Sequence, residues 1–456
     1  MTSSFEQWLA KIEQWVWGAP LLILLTVVGF YLTIALRGIQ FRYLFYSLKL
    51  AFTRQDEKAQ GDISQFQALM TALAGMIGIG SITGVATAVS MGGLGSLFWM
   101  WVASLIGMAT KYAEAILAVK YRSQDARGEM CGGPMIYLEK GLKSKRLAVF
   151  FAVAGGITAL VTGNMVQANS IAAAVKGWID PIWVGIFLAA ITGIALFGGI
   201  RSIGKVSSWL VPAMAVFYIL GGLVLIAMHL EALPAAVSAI FREAFSGRAA
   251  AGGVAGTSIM MAIQFGISRS VFSNEAGLGT APIAAAAAKT DVPGRQALIS
   301  MSGVFITSMV VCTITGLAIA VSGLLGKPGP DGLPLNGSLL ALASFESGAP
   351  FGAFIVTLSL ILFGYSTVVG WAYYGEKCTE YLFGVRSVQW YRILFTLALV
   401  PGAMIGLNAV WSFANIMNGL MAFPNLLGLF GLSAIVIAET RDFEKLLKLE
   451  RKAAET

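Results

Sequence analysis

The chain reads as an all-α integral membrane protein with about eleven transmembrane helices, and three observations predict it. Apolar residues make up 57% of the 456 positions and charged residues only 12%, against roughly 25% charged in soluble domains. Uncharged runs recur along the whole sequence, at 19–36, 63–110, 147–175, 181–200, 206–228, 249–268, 297–326, 347–375 and 393–438. A bilayer core of ~30 Å needs about 20 helical residues, so these runs have the right length. Most of the basic residues also fall on one side of the resulting topology.

Taken in order, the segment FEQWLAKIEQWVW reads as an amphipathic helix lying in the interface with tryptophan anchors. Glu6 and Glu13 precede the apolar run and no small-residue cleavage pattern follows it, unlike a signal peptide. Span A covers 18–37. The runs 63–110 and 393–438 each hold two spans, dividing at Met91-Gly92-Gly93-Leu94-Gly95 and near Gly406-Leu407-Asn408. Spans B and C are therefore 63–90 and 94–121, followed by D at 147–174, E at 181–200 and F at 206–228. Span G covers 252–288, H 296–323, I 350–377, J 388–407 and K 411–437. The hydrophilic insertions 38–62, 122–146, 229–250 and 324–349 are too short for a soluble domain. Residues 1–456 thus read as a single membrane transport domain with a basic tail at 438–456.

Eleven spans put successive loops alternately on two sides, and cytoplasmic loops collect Lys and Arg. One side holds 25 of the 31 basic residues, including those at 37–58, 111–146 and 441–452. The N-terminus is therefore expected outside and the C-terminus in the cytoplasm, in a multi-pass plasma membrane protein. This bias accounts for the net charge of +8, and no nucleic-acid partner is needed. Cys131, Cys312 and Cys378 lack paired spacing, which argues against a disulfide framework or a zinc site. Gly199-Ile200-Arg201-Ser202-Ile203-Gly204-Lys205-Val206 nearly spells a phosphate-binding loop. Val206 stands where Ser or Thr is required and the stretch links two membrane helices, so the match is spurious. The single His229 sits at the outer end of span F.

Function enters through two weak spots. Within the uncharged run 63–110, the string GMIGIGSITG has glycine at 75, 78, 80 and 84. Some 200 residues later SNEAGLGTAPIAAAA carries a similar core, so that Gly78-Ile79-Gly80-Ser81 answers to Gly277-Leu278-Gly279-Thr280. A membrane helix tolerates such a break where the freed backbone groups find a ligand, an ion or a water-lined cavity. Small residues also serve tight helix packing, but paired breaks in two halves point to a transporter's binding site. With B and G as starts, 63–228 and 252–437 form two five-span units. Five is odd, so the second unit enters from the opposite side and the repeat is inverted.

At these residues the sequence becomes recognisable. AGMIGIGSITGVATA with GSLFWMWVASLIGMATKYAEAILAVKYR, GGPMIYLEKGL, GNMVQANSIA, SRSVFSNEAGLGTAPIAAAAAKT and CTITGLAI resemble the alanine or glycine:cation symporter family of prokaryotes. The resemblance runs from about residue 15 to 440 and implies a LeuT-type five-plus-five inverted repeat with one extra N-terminal helix. It implies sodium-coupled symport of a small neutral amino acid such as alanine or glycine across a prokaryotic inner membrane, with sodium as the co-transported ion and no organic cofactor. The family's first broken helix usually reads GTGNI where this chain has GIGSI, which leaves fewer side-chain donors for the ligand.

A zwitterion needs an anion patch and a cation patch in a dry pocket. A half-helix N-terminus offers the first and unwound carbonyls the second. Gly78, Ile79, Gly80, Ser81 and Gly277 are the expected substrate contacts of the two breaks. Gln167 in span D, an uncharged polar group deep in an apolar helix, donates and accepts and is expected to join them. Asn164 and Asn169 fall on other faces and read as structural. By the resemblance, Phe272 and Trp371 form the apolar wall. Sodium prefers oxygen ligands. Carried over from the LeuT-type fold, the ion site comprises the carbonyls of Ala74 and Ile77 and the hydroxyls of Ser366 and Thr367, with Thr313 and Thr315 weaker alternatives. Arg269 and Glu275 are the costliest residues of a span and read as a gate or a structural ion pair. Lys111 and Glu114 read as a local pair near the interface.

An intramembrane enzyme needs a nucleophile–base pair, paired aspartates or a metal cluster, and no such set falls inside the spans. A pump lacks its nucleotide site, and paired breaks favour alternating access over a channel. A proton-coupled carrier needs a titratable group at the site, and Glu275 keeps that alternative open.

Overall fold

The computed structural model describes residues 4–53, 59–246, 259–329, 332–348, 350–405 and 407–455. The N-terminal amphipathic segment forms α1 (Ser4–Val16), and α2 (Ala19–Ala35) fills span A. The insertion at 38–62, expected as a hydrophilic loop, contains α3 (Ile39–Phe52). Span B is α4 (Gln65–Met76) and α5 (Thr83–Gly92), bent by 64° around a single turn at Ile79–Ser81. A capping box opens α4: the Gln67 amide donates to the Ser64 hydroxyl at 3.1 Å, and the Ser64 amide to the Gln67 side chain at 3.0 Å. Span C is α6 (Gly95–Tyr121).

The next insertion folds into a small hairpin, β1 (Ser123–Gln124) and β2 (Met130–Cys131), then α7 (Pro134–Lys140). Span D is α8 (Lys145–Leu160) and α9 (Val166–Ala174), joined by a π-helical turn at Val161–Met165. Such turns often mark functional positions. Spans E and F are α10 (Pro181–Phe197) and α11 (Gly199–Met228), followed by α12 (Leu233–Ser246). Span G is broken into α13 (Ile259–Asn274) and α14 (Ala281–Ala286); its expected start at 252–258 lies outside the described residues. Span H is α15 (Pro293–Val304) and α16 (Thr313–Ser322) around a second π-helical stretch, Phe305–Cys312. Then come α17 (Gly337–Glu346), α18 (Gly352–Phe383) as span I and α19 (Ser387–Met404) as span J. Span K is α20 (Leu407–Gly431), and α21 (Ser433–Glu455) closes the chain.

Among the described residues seven helices are long and apolar enough to cross a bilayer, and the bent α4–α5 pair makes eight. Two boundaries differ from expectation for physical reasons. Helix α18 continues to Phe383, beyond the expected end at 377, because Glu376, Lys377 and Glu380 are paired rather than solvated. Span K ends at Gly431 and not at 437, and the tail is helical from Ser433, with Phe443 seated on Gly294 at the start of α15.

The site lies where the broken helices meet. Helix α5 packs along α13 and α14 along α4, while α6 backs the second pair and α18 lies against α4, α8 and α9. The two breaks therefore face one another, enclosed by buried helices.

Candidate functional site

The first break forms because Gly78 runs extended (φ −108°, ψ −168°) after α4 ends at Ile77. A Cβ at Gly78 would lie 2.5 Å from the Thr367 hydroxyl, so α18 reaches the break only because that residue is glycine. The Ala74 carbonyl, in the last turn of α4, is approached by the Ser366 hydroxyl at 3.3 Å and the Thr367 hydroxyl at 3.1 Å. Both hydroxyls also reach the Phe363 carbonyl at 2.9 Å. A hydroxyl has one proton and two lone pairs, so this cluster offers a hard cation several oxygens without a formal charge. Ile77, the other expected carbonyl donor, is the C-cap of α4. Past it, the amides of Gly78, Ile79 and Gly80 make no backbone hydrogen bond among the described residues.

The second break is held differently. Glu275, Gly277 and Gly279 have φ of +55°, +90° and +82°, a left-handed region open to glycine at little cost. Lys111 donates to the Glu275 carbonyl at 2.8 Å. One oxygen of Glu114 accepts from the amides of Gly277 and Gly279, both at 3.1 Å, and from the Asn425 side chain at 2.7 Å. Asn425 also donates to the Gly277 carbonyl at 2.8 Å. One expectation changes here. Gly277 does not line the cavity between the breaks: its amide and carbonyl are taken by Glu114 and Asn425, and a Cβ there would meet Leu25 and Leu426. Lys111 and Glu114 form the expected local pair, 3.5 Å apart and buried, and together they clamp the break.

Between the breaks lies a cavity of about 10 Å³, room for about one water molecule. Gly75, Met76, Gly78 and Gly80 line it from the first break, and Phe272, Glu275 and Leu278 from the second. Thr162 and Gln167 come from span D, Thr367 and Trp371 from α18, and Asn418 from α20. Gln167 donates to the Thr162 carbonyl at 2.9 Å and Asn418 to the Thr162 hydroxyl at 3.3 Å. That leaves the side-chain oxygens of Gln167 and Asn418 buried without a partner among the described residues, a cost of about 1–3 kcal/mol each unless a ligand donor meets them. Glu275 accepts from Thr280 at 2.6 Å.

The structure thus brings Gly78, Gly80, Gln167, Phe272 and Trp371 around one cavity, and Ala74, Ser366 and Thr367 into the adjoining oxygen cluster. Ile79 and Ser81 do not line the cavity. Ile79 packs toward Gly364 of α18, and the Ser81 hydroxyl meets the Ser273 hydroxyl at 2.9 Å, tying the two breaks together. Thr315 donates to the Ser81 carbonyl at 2.9 Å, whereas Thr313 accepts from Trp101. Asn164 and Asn169 donate to α19 carbonyls at Phe395 and Gly402. Arg269 and Glu275 do not pair with each other: they line separate cavities. Thr162, Asn418 and Asn425 were missed, although the rule that singled out Gln167, a polar amide in an uncharged run, applies to both asparagines.

Phe272 also closes a second cavity of about 210 Å³ that lies between α1, α13 and α20. The β1–β2 hairpin is tied to α18 by ion pairs. There Lys377 lies 3.0 Å from Glu380 and 3.5 Å from both Asp125 and Glu129, and Arg392 makes two hydrogen bonds to Glu376 at 2.7 and 2.9 Å.

The profile of the sodium:alanine symporter family matches residues 2–456. The chain is 52% identical to the sodium/alanine symporter AgcS of Methanococcus maripaludis, over 97% of this chain and 98% of that protein. It is 34% identical to the amino-acid carrier protein AlsT of Bacillus subtilis, covering 98% of this chain and 93% of that one. Among solved structures, MhsT in complex with L-phenylalanine superposes with a TM-score of 0.56 at 13% identity, over 84% of this chain and 98% of its own. The likeness to MhsT is one of fold, the LeuT type.

Proposed function

This chain belongs to the sodium:alanine symporter family, a family of transporters and not of enzymes, and we propose that it imports alanine, with glycine as a second substrate, together with sodium by alternating access. The observation that carries the reading is that Thr367 serves two places at once. Its hydroxyl lies at the Ala74 carbonyl, in the oxygen cluster, and its side chain forms part of the cavity wall. An ion held by Ala74, Ser366 and Thr367 fixes the residues that face the substrate, and that shared wall is the physical basis of coupling.

In this reading the cavity, closed down here to about one water molecule, widens to admit the substrate, whose carboxylate takes the amides of Gly78 and Gly80 at the opening of the first half-helix. The ammonium group takes the unpartnered oxygens of Gln167 and Asn418, with Glu275 nearby. Phe272 and Trp371 bound the methyl group. The two units 63–228 and 252–437 rock about the breaks as an inverted repeat in one membrane domain, with α1 outside and α21 in the cytoplasm. The Lys377 cluster then closes the cytoplasmic side and Phe272 the outer side.

Reconstituted vesicles test it. A sodium gradient is expected to drive accumulation of labelled alanine, and a pH gradient of the same size is expected to drive none. Accumulation on the pH gradient alone would move the coupling to protons and to Glu275.

A further inference from the structure

A cavity of about 580 Å³ opens between α10, α19 and the β1–β2 hairpin, away from both helix breaks. Its floor is apolar, with Leu196 and Phe197 from α10 and Ile393 and Leu397 from α19. Phe197 is 90% exposed, so the floor runs on into surface that meets acyl chains rather than into the protein interior. The rim is basic. Arg127 of the hairpin, Arg386 at the start of α19 and Arg392 further along it line the cavity, and no acid does among the described residues. Arg127 and Arg392 are each held by a carboxylate of α18, Glu380 and Glu376, yet both stay partly exposed. A guanidinium has five donors, so one such contact leaves others to offer. Arg386 is exposed and makes no ion pair among the described residues. One turn beyond it Trp390 is 74% exposed, as an indole at a membrane–water boundary is.

We infer that this cavity binds an anionic phospholipid of the leaflet on the Lys- and Arg-rich side. The phosphate docks on Arg386 with Arg127 and Arg392 beside it, and an acyl chain lies along Phe197 and Leu397. A free phosphate would satisfy only the rim, and a zwitterionic lipid brings its own cation to the arginines. An acidic headgroup on an apolar chain satisfies both parts of the cavity. Because Arg127 and Arg392 tie the hairpin and α19 to α18, the lipid braces that contact, and binding stabilises the folded protein.

Thermal melting of the delipidated full-length protein in detergent, titrated with phosphatidylglycerol, tests it. Wild type is expected to show a saturable rise in melting temperature, much smaller with phosphatidylcholine and absent with inorganic phosphate. Arg386→Gln, which removes an exposed and unpaired charge, is expected to move the titration midpoint to about tenfold more lipid. Gly193→Leu is expected to move it in the same direction by filling the floor. A Cβ at Gly193 would meet only the Thr396 methyl, at 3.6 Å, so the backbone has room for it. Arg441→Gln, an equal loss of exposed charge on α21, is expected to leave the midpoint in place. A midpoint unmoved by Arg386→Gln or by Gly193→Leu, or moved as far by Arg441→Gln, would overturn the site. Equal stabilisation by phosphatidylcholine or by inorganic phosphate would overturn it too. The titration contains no amino acid, so its failure would leave the transport reading untouched.

Discussion

The Thr367 hydroxyl donates to the Ala74 carbonyl at 3.1 Å, joining the middle of α18 to the last turn of the half-helix before the first break. If an ion sits among these oxygens, removing the hydroxyls must appear in the ion's affinity. Ser366→Ala with Thr367→Val is expected to raise the sodium concentration for half-maximal uptake by about tenfold or more, as loss of about 1.5–3 kcal/mol of polar contact implies. Sodium titration of alanine uptake in vesicles reads it. An unchanged midpoint would remove both residues from the ion site.

The clamp on the second break is expected to show as stability. Glu114→Ala strands Lys111 and three buried donors, and breaking a buried pair from one side costs about 3–5 kcal/mol. A clear drop in the apparent melting temperature of the detergent-purified protein follows. Replacing the pair together, by Lys111→Met with Glu114→Gln, is expected to restore part of it, because the uncompensated charge is gone. Equal losses in the single and double variants would mean that the pair does not act as a unit.

In the proposed site Trp371 and Phe272 bound the space left for the substrate side chain. In competition against labelled alanine, glycine is expected to inhibit strongly, and leucine and glutamine weakly. Trp371→Ala, by opening the wall, is expected to let leucine compete. Strong inhibition of wild type by leucine or glutamine, with none by glycine, would reject the choice of small substrates.

The Lys377 cluster predicts a closed face. Cys131 is buried beside it, with its sulfur 3.6 Å from Glu380. Lys377→Met leaves Asp125, Glu129 and Glu380 to the half-buried Arg127 of the hairpin, a net excess of negative charge, so the hairpin is expected to loosen and Cys131 to react faster with a membrane-permeant maleimide. Cys131→Ser supplies the background from Cys312 and Cys378. Equal labelling rates would mean that the hairpin stays docked without its lysine.

Both breaks and most helix positions were legible in the sequence, because glycine clusters in uncharged runs and Lys/Arg asymmetry are properties of composition. The direction in which a break residue points was not. Gly277 looks equivalent to Gly78 by spacing, yet Glu114, more than 160 residues away, takes its amide, and no local pattern encodes that contact. Ile79 and Ser81 stand inside the motif and still turn to Gly364 and Ser273. Lys111 and Glu114 were legible as a local pair, but not their contacts to Glu275 and Gly277, more than 160 residues further on. The asparagines of α20 carried the same signal as Gln167 but were spread through a run dense in Gly, Phe and Leu.

Sodium-coupled binding is the centre of this account, and linkage makes it directly measurable. Calorimetric titration of L-alanine into the purified protein, once in sodium and once in choline at equal ionic strength, isolates it from transport kinetics. The account predicts that alanine binds at least about tenfold tighter in sodium, a coupling of about 1.4 kcal/mol or more. Equal affinity in the two salts would contradict it.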